Sequence, residues 1–133
     1  MTDILLAIDQ SEARAEAQAK TVRGLFDTKN ITAYLFHDFT DNPEGASITQ
    51  VGTVNHAADI LEEVGFAIEY HEGSGEPADE IVELADELDV DAICIAGRKR
   101  SPAGKMLFGS VSQDVILGTT RPVIVCNPEE DEH

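Results

Sequence analysis

Tryptophan is missing from this chain of 133 residues, and the other aromatics are thin: two tyrosines and five phenylalanines. A core built from it has to be aliphatic. The hydrophobic share of 42% supplies one and argues against disorder despite the charge. Basic residues are also scarce, with nine Lys and Arg set against 26 Asp and Glu for a net charge of -17. So negative a surface argues against general affinity for nucleic acid or anionic membranes, both of which need positive charge. Only two cysteines occur, Cys94 and Cys126, each in an apolar run. They read as small buried hydrophobes rather than as a disulfide framework.

Several motifs are absent too. There is no GxxxxGK[ST] loop and no GxGxxG after the first apolar run. His37, His56, His71 and His133 show no metal-ligand spacing with the cysteines, and no local Ser/His/Asp or Cys/His signature stands out. No catalytic residue and no metal ligand is therefore assigned. The N-terminus lacks a basic leader, and the run Ile4 to Ile8 is too short for export or membrane insertion. A cytoplasmic protein is expected.

The acids are spread along the whole chain rather than gathered in a tail. Self-repulsion at this charge opposes the compact state in dilute buffer. In molar salt the screening length falls to about 3 Å and most of that penalty disappears. The composition therefore has a halophile-like character. The length suits one domain, taken as residues 1–128, with an acidic tail over 129–133.

Hydrophobic periodicity gives the order of elements. The continuous run Ile4 to Ile8 predicts a strand buried on both faces, as in parallel sheets. Ser11 offers an N-cap for an Ala-rich helix to about Asp27. A second strand is expected over Ile31 to Phe36, a helix from about Ser47 to Val64, and a third strand over Phe66 to Tyr70 with a loop to Gly75. Pro77 opens a third helix, since its missing N–H is not needed in a first turn. Asp91 to Ala96 is the fourth strand, Gly109 to Leu117 the fourth helix, and Pro122 to Cys126 the fifth strand. Such β/α alternation calls for an α/β fold, a parallel sheet with helices on both faces and right-handed crossovers.

In open sheets of this kind ligands bind beyond the carboxyl ends of the strands, where strand order reverses. Asp9, Asp38 and Gly97 fall at such ends. Asp9 can accept a hydrogen bond from a ribose hydroxyl, or cap the first helix or loop. Gly97 lets backbone approach a ligand closely or makes a tight turn. Gly109 and Ser110 open a helix, whose free N–H groups favour phosphate; Ser110 and Ser112 add hydroxyls, and plain N-capping is the other role for Ser110. Arg98, Lys99, Arg100 and Lys105 are four of the nine basic residues. They either neutralise phosphate or form a solvated loop paired with nearby acids.

Three stretches carry a resemblance: Ile4 to Glu12 with Asp9-Gln10-Ser11, Gly75-Glu76-Pro77-Ala78 before a helix, and Gly97 to Ser112. In that order they make the chain resemble the universal stress protein family along nearly its whole length. The resemblance implies a five-stranded parallel sheet of order 3-2-1-4-5, adenine nucleotide alpha hydrolase-like in type. It also implies a homodimer through Pro122 to Cys126, which agrees with the hazard of an unpaired apolar edge. Members that bind ATP carry G-x2-G-x9-G-[ST]. Here Gly97 and Gly109-Ser110 match its ends, Arg100 stands at the second glycine, and Ser101 to Phe108 makes a spacer of eight. By resemblance, Ala7 and Asp9 belong beside adenine or ribose, and Gly109, Ser110, Val111 and Ser112 beside the phosphates. Asp38 falls where the family usually has an apolar residue next to adenine, and Arg98 and Arg100 flank the loop.

Two functions follow. One is a nucleotide-binding stress-response module that takes ATP, with Mg2+, and whose hydrolysis is slow at most because no water-positioning base is evident. The other is a dimer that binds no nucleotide and serves as a protein-interaction module for a regulatory partner the sequence does not identify. A phosphoacceptor receiver domain, similar in length and alternation, is disfavoured by Tyr70-His71-Glu72 where it needs an Asp and by Asn127-Pro128 where it needs a Lys.

Overall fold

The structure, a computed structural model, describes residues 2–26, 30–39, 51–97 and 110–126. Five strands and four helices alternate along it: β1 Thr2–Ala7, α1 Glu12–Leu25, β2 Ile31–Asp38, α2 Gly52–Glu63, β3 Ala67–Gly73, α3 Pro77–Leu88, β4 Ala92–Ala96, α4 Ser110–Gly118 and β5 Val123–Cys126. The sheet is wholly parallel, in the order β3-β2-β1-β4-β5. The expected loop from Arg98 to Gly109 and the expected acidic tail lie outside the described residues.

β1 lies at the centre, which explains why its sequence is apolar without alternation. Ile4 and Leu6 face a cluster with Ala15, Ala19 and Val22 of α1 and Val54, Ala58 and Leu61 of α2. Leu5 faces the opposite cluster with Ala78, Ile81 and Ala85 of α3 and Val115 of α4. Burying each Leu, Ile or Val side chain contributes roughly 1.5–3 kcal/mol, so two helices settle on each face. Ala15 and Ala19, four residues apart and fully buried, let α1 lie close against the sheet.

Local signals set the helix ends. Ser11 is extended (φ -91, ψ 115), and its hydroxyl accepts the Arg14 N–H, as a good N-cap does. Pro77 opens α3, and Asp89 closes it in the left-handed region at φ 54, ψ 50. Arg121 fastens that end by bonding Asp86 Oδ1 (3.1 Å), Asp89 Oδ1 (3.1 Å) and the Val90 carbonyl (2.7 Å).

Most boundaries fall within two residues of expectation, and two differ by more. The helix expected from about Ser47 begins at Gly52, because Val51 is extended (φ -86, ψ 115) as its N-cap residue. The side chain of Val51 packs instead against the core. The third strand runs on to Gly73 rather than stopping at Tyr70. Each added residue pairs with a longer β2, up to Asp38 opposite Gly73. As an edge strand β3 tolerates His71 and Glu72, whose polarity reads as loop.

Candidate functional site

Strand order reverses between β1 and β4, and there the ladder stops early. β1 and β4 pair only to Leu6 opposite Cys94. The outer pairings run further, β1–β2 to Ala7 opposite Phe36 and β4–β5 to Ala96 opposite Cys126. The two central strands thus part at their carboxyl ends. That parting forms the mouth of a crevice, the geometry in which open α/β sheets bind ligands.

A side chain that sequence reasoning missed holds the parting. Gln18 is fully buried on α1, and its Nε2 donates to the Ala7 carbonyl at 2.8 Å and the Cys94 carbonyl at 3.2 Å. It satisfies backbone acceptors where the β1–β4 ladder ends, which buried carbonyls require. Its own Oε1 is buried with no hydrogen-bond partner among the described residues.

Ala7 ends β1 as half-buried backbone at the base of the mouth. Asp9 stands beyond it, its side chain 52% exposed. Its Oδ1 accepts the Ser11 N–H at 2.9 Å and its Oδ2 accepts Arg14 Nε at 2.8 Å. Asp9 thus caps the loop before α1, whose N-cap is Ser11, and its ion pair with Arg14 ties it to the first turn of the helix. The Asp9 carbonyl accepts Thr53 Oγ1 at 2.6 Å, which ties the start of α2 to the same loop. Arg14 and Thr53 had no signal in the sequence beyond ordinary helix positions.

On the β2 side, His37 is buried and its Nδ1 lies 2.8 Å from the Ile8 carbonyl, with its ring edge-on to Phe39 at 4.8 Å. The imidazole Nδ1 is therefore the donor, since a carbonyl can only accept. Asp38 follows at the end of β2, half-buried and in register with Gly73.

On the β4 side, Gly97 is buried and its N–H donates to the Cys126 carbonyl at 2.8 Å. Ser112, in the first turn of α4, donates from Oγ to the Ala96 carbonyl at 3.2 Å. Val111 beside it packs into the core shared with α3. The start of α4, whose first N–H groups have no partner within the helix, is thus fixed over the end of β4. Ala7, Asp9, Gly97, Val111 and Ser112 belong to the same carboxyl end of the sheet, around the β1–β4 parting. Asp38 lies one strand further out. Arg98, Arg100 and Gly109 fall outside the described residues, as does the side chain of Ser110. Among the described residues no group of three or more His, Cys, Asp or Glu is placed to hold a metal ion.

Comparisons with known proteins agree on one family. A family model described as the universal stress protein family matches residues 1–127. A curated relative, a universal stress protein of Mycolicibacterium smegmatis, is 31% identical over 84 residues, which span 62% of this chain and 65% of that protein. Its matched length is thus just under two thirds of the relative. Among solved structures, a universal stress protein from Archaeoglobus fulgidus superposes with a TM-score of 0.73 at 35% identity, covering 95% of this chain and 98% of that one. A structure of the universal stress protein from the same organism in complex with dAMP gives a TM-score of 0.68 at 29% identity, over 95% of this chain and 98% of that one.

Proposed function

The chain belongs to the universal stress protein family, and from that premise we propose that it binds an adenine nucleotide at the β1–β4 parting and acts as a regulatory, stress-response module. The observation that carries this reading is the early end of the ladder at Leu6 and Cys94, with the first turn of α4 fixed beside it. The relative solved in complex with dAMP, at 29% identity, supports the choice of ligand class.

In this reading adenine and ribose lie by Ala7, Asp9 and Asp38. The phosphates lie by Gly97, Gly109, Ser110, Val111 and Ser112, where helix N–H groups and hydroxyls donate to anionic oxygens. Arg98 and Arg100 supply charge-assisted contacts. ATP is the form that uses the whole loop. Mg2+, a hard cation that keeps several waters, would enter on its phosphates. Titration calorimetry of ATP and AMP into the protein in molar KCl should give a saturable isotherm; no heat from either, and no nucleotide carried through purification, would sink the reading.

One observation favours a second function, a dimer that binds no nucleotide. The carboxylate of Asp9 is already engaged by Ser11 and Arg14. The substitution Arg100→Gly separates the two: weakened ATP binding supports a phosphate contact, whereas binding gained only in the variant means the arginine fills the phosphate position.

The homodimer belongs to both readings. β5 is a short edge strand of half-buried Val123, Ile124 and Val125, and Leu117 near the end of the preceding α4 is 76% exposed. An unpaired apolar edge is stabilised by pairing with a second copy. Sedimentation equilibrium in molar KCl should return twice the chain mass, and Leu117→Asp should shift it toward the monomer; a monomeric wild type would refute the pairing. No described helix is long and apolar enough to cross a membrane, and a cytoplasmic, salt-adapted setting is part of the proposal.

A further inference from the structure

The two cysteines lie on neighbouring strands, in a register that sets Cys94 opposite Ile124 and Cys126 opposite Ala96. Both side chains enter the core cluster beneath α1, Cys94 fully buried and Cys126 only 2% exposed. Their sulfurs are 3.3 Å apart, within hydrogen-bond contact. Two cysteines serving only as small hydrophobes have no need to meet head to head.

The surroundings make the two thiols unequal. Burial, then the hydrogen bond with Cys126, pushes the Cys94 thiol well above its ordinary range. The hydrogen bond from Cys94 pulls Cys126 below its ordinary range against the cost of burial, with Thr21 adding to the pull. Where Cys94 donates, the bond favours the Cys126 thiolate, and the thiolate is the nucleophilic form of cysteine.

We propose that Cys94 and Cys126 form a redox-active dithiol, which hydrogen peroxide or an organic hydroperoxide converts to an intramolecular disulfide. The Cys126 thiolate attacks one peroxide oxygen, the O–O bond breaks, and the leaving oxygen takes up a proton as water or alcohol. Cys126 is then a sulfenic acid. The Cys94 sulfur attacks it and gives up its proton, and the hydroxyl departs as a second water. Two thiols and one peroxide yield one disulfide; the sulfurs are oxidised and the peroxide oxygens reduced. The sulfurs are 3.3 Å apart, but the two residues are offset by two along the ladder, a Cα diagonal of about 8 Å, so closing to a bond of about 2.0 Å needs β5 to shift along β4 as well as the side chains to turn.

Packing covers both sulfurs, so the oxidant enters when β5 opens. Within one chain this strand has four residues and pairs on one side only, with β4, so it opens when the two copies are apart. Short edge elements are where local opening is least costly. The bond then fastens the end of β5 to β4, beside the Gly97 N–H that donates to the Cys126 carbonyl.

The test is to expose the reduced, full-length protein in molar KCl to excess hydrogen peroxide, denature it, alkylate free thiols and weigh the intact chain. The expected product has lost two hydrogens and both alkylation sites, its digest contains a Cys94–Cys126 linked peptide pair, and dithiothreitol restores both sites. Cys94→Ser should abolish the linked species and leave Cys126 to gain oxygen atoms instead. If that variant fails to fold, the wild-type digest alone decides. Two thiols still alkylatable after exposure, links only between chains, or over-oxidised Cys126 in the wild type with no internal link would each overturn the proposal.

Discussion

Gln18 bonds the Ala7 and Cys94 carbonyls through one amide nitrogen, at 2.8 and 3.2 Å. Removing a donor from buried acceptors costs about 1–3 kcal/mol. Gln18→Leu keeps the volume and should therefore lower the unfolding free energy by that amount, read as a lower urea midpoint at constant m. Unchanged stability would show that the carbonyls do not depend on the amide. Nothing in the sequence sets Gln18 apart, because a glutamine in an Ala-rich helix reads as a solvated position. His37 was hidden in the same way, since its bond to the Ile8 carbonyl crosses between strands. Asp9 was legible because an acid directly after a continuous apolar run marks a strand end. Its partner Arg14 was not, because the bond that joins them depends on how α1 leaves the loop.

At the scale of elements, α1 and α2 are clasped across their exposed sides. Glu16 receives Lys20 Nζ at 2.6 Å within α1, and His56 Nε2 of α2 lies 3.1 Å from its other oxygen. The Lys20 hydrogen bond first, and the His56 hydrogen bond next, hold the Glu16 carboxyl below the usual glutamate range. A carboxylate depressed on folding binds fewer protons folded than unfolded. Its contribution is complete above the unfolded value and is lost as pH falls through the folded one. Chemical unfolding across the acid range should show wild type losing more stability than Glu16→Gln as pH drops below the ordinary glutamate value. Parallel losses would remove Glu16 from the account. The difference is expected to be small, because solvent screens an exposed pair. Helix existence and order were legible throughout, since the apolar spacing that defines each helix is the face it buries. The start of α2 was not. Val51 fits a helical stripe, and its extended backbone follows from packing that periodicity does not encode. The end of β3 was missed because an edge strand needs only one buried face.

Charge governs the whole molecule. With a net charge of -17, repulsion should weaken the fold in dilute buffer and fade as the screening length shrinks to about 3 Å in molar salt. The melting temperature should therefore rise markedly from dilute buffer to molar KCl, while equal values would contradict a salt-adapted surface. The parallel sheet of order β3-β2-β1-β4-β5 was legible because continuous apolar runs alternating with amphipathic ones leave little other choice. The crevice was legible only in outline. Its position follows from strand order, but the Gln18 bonds and the Asp9 ion pair arise from tertiary geometry. The central claim is that an adenine nucleotide binds where β1 and β4 part. It is tested most directly by following backbone amide resonances while ATP is added in molar KCl. The account predicts saturable shifts at Ala7 to Asp9, Gly97 and Ser110 to Ser112, with the distant end of β3 unmoved. Resonances that stay in place at the parting, or move only elsewhere, would contradict it.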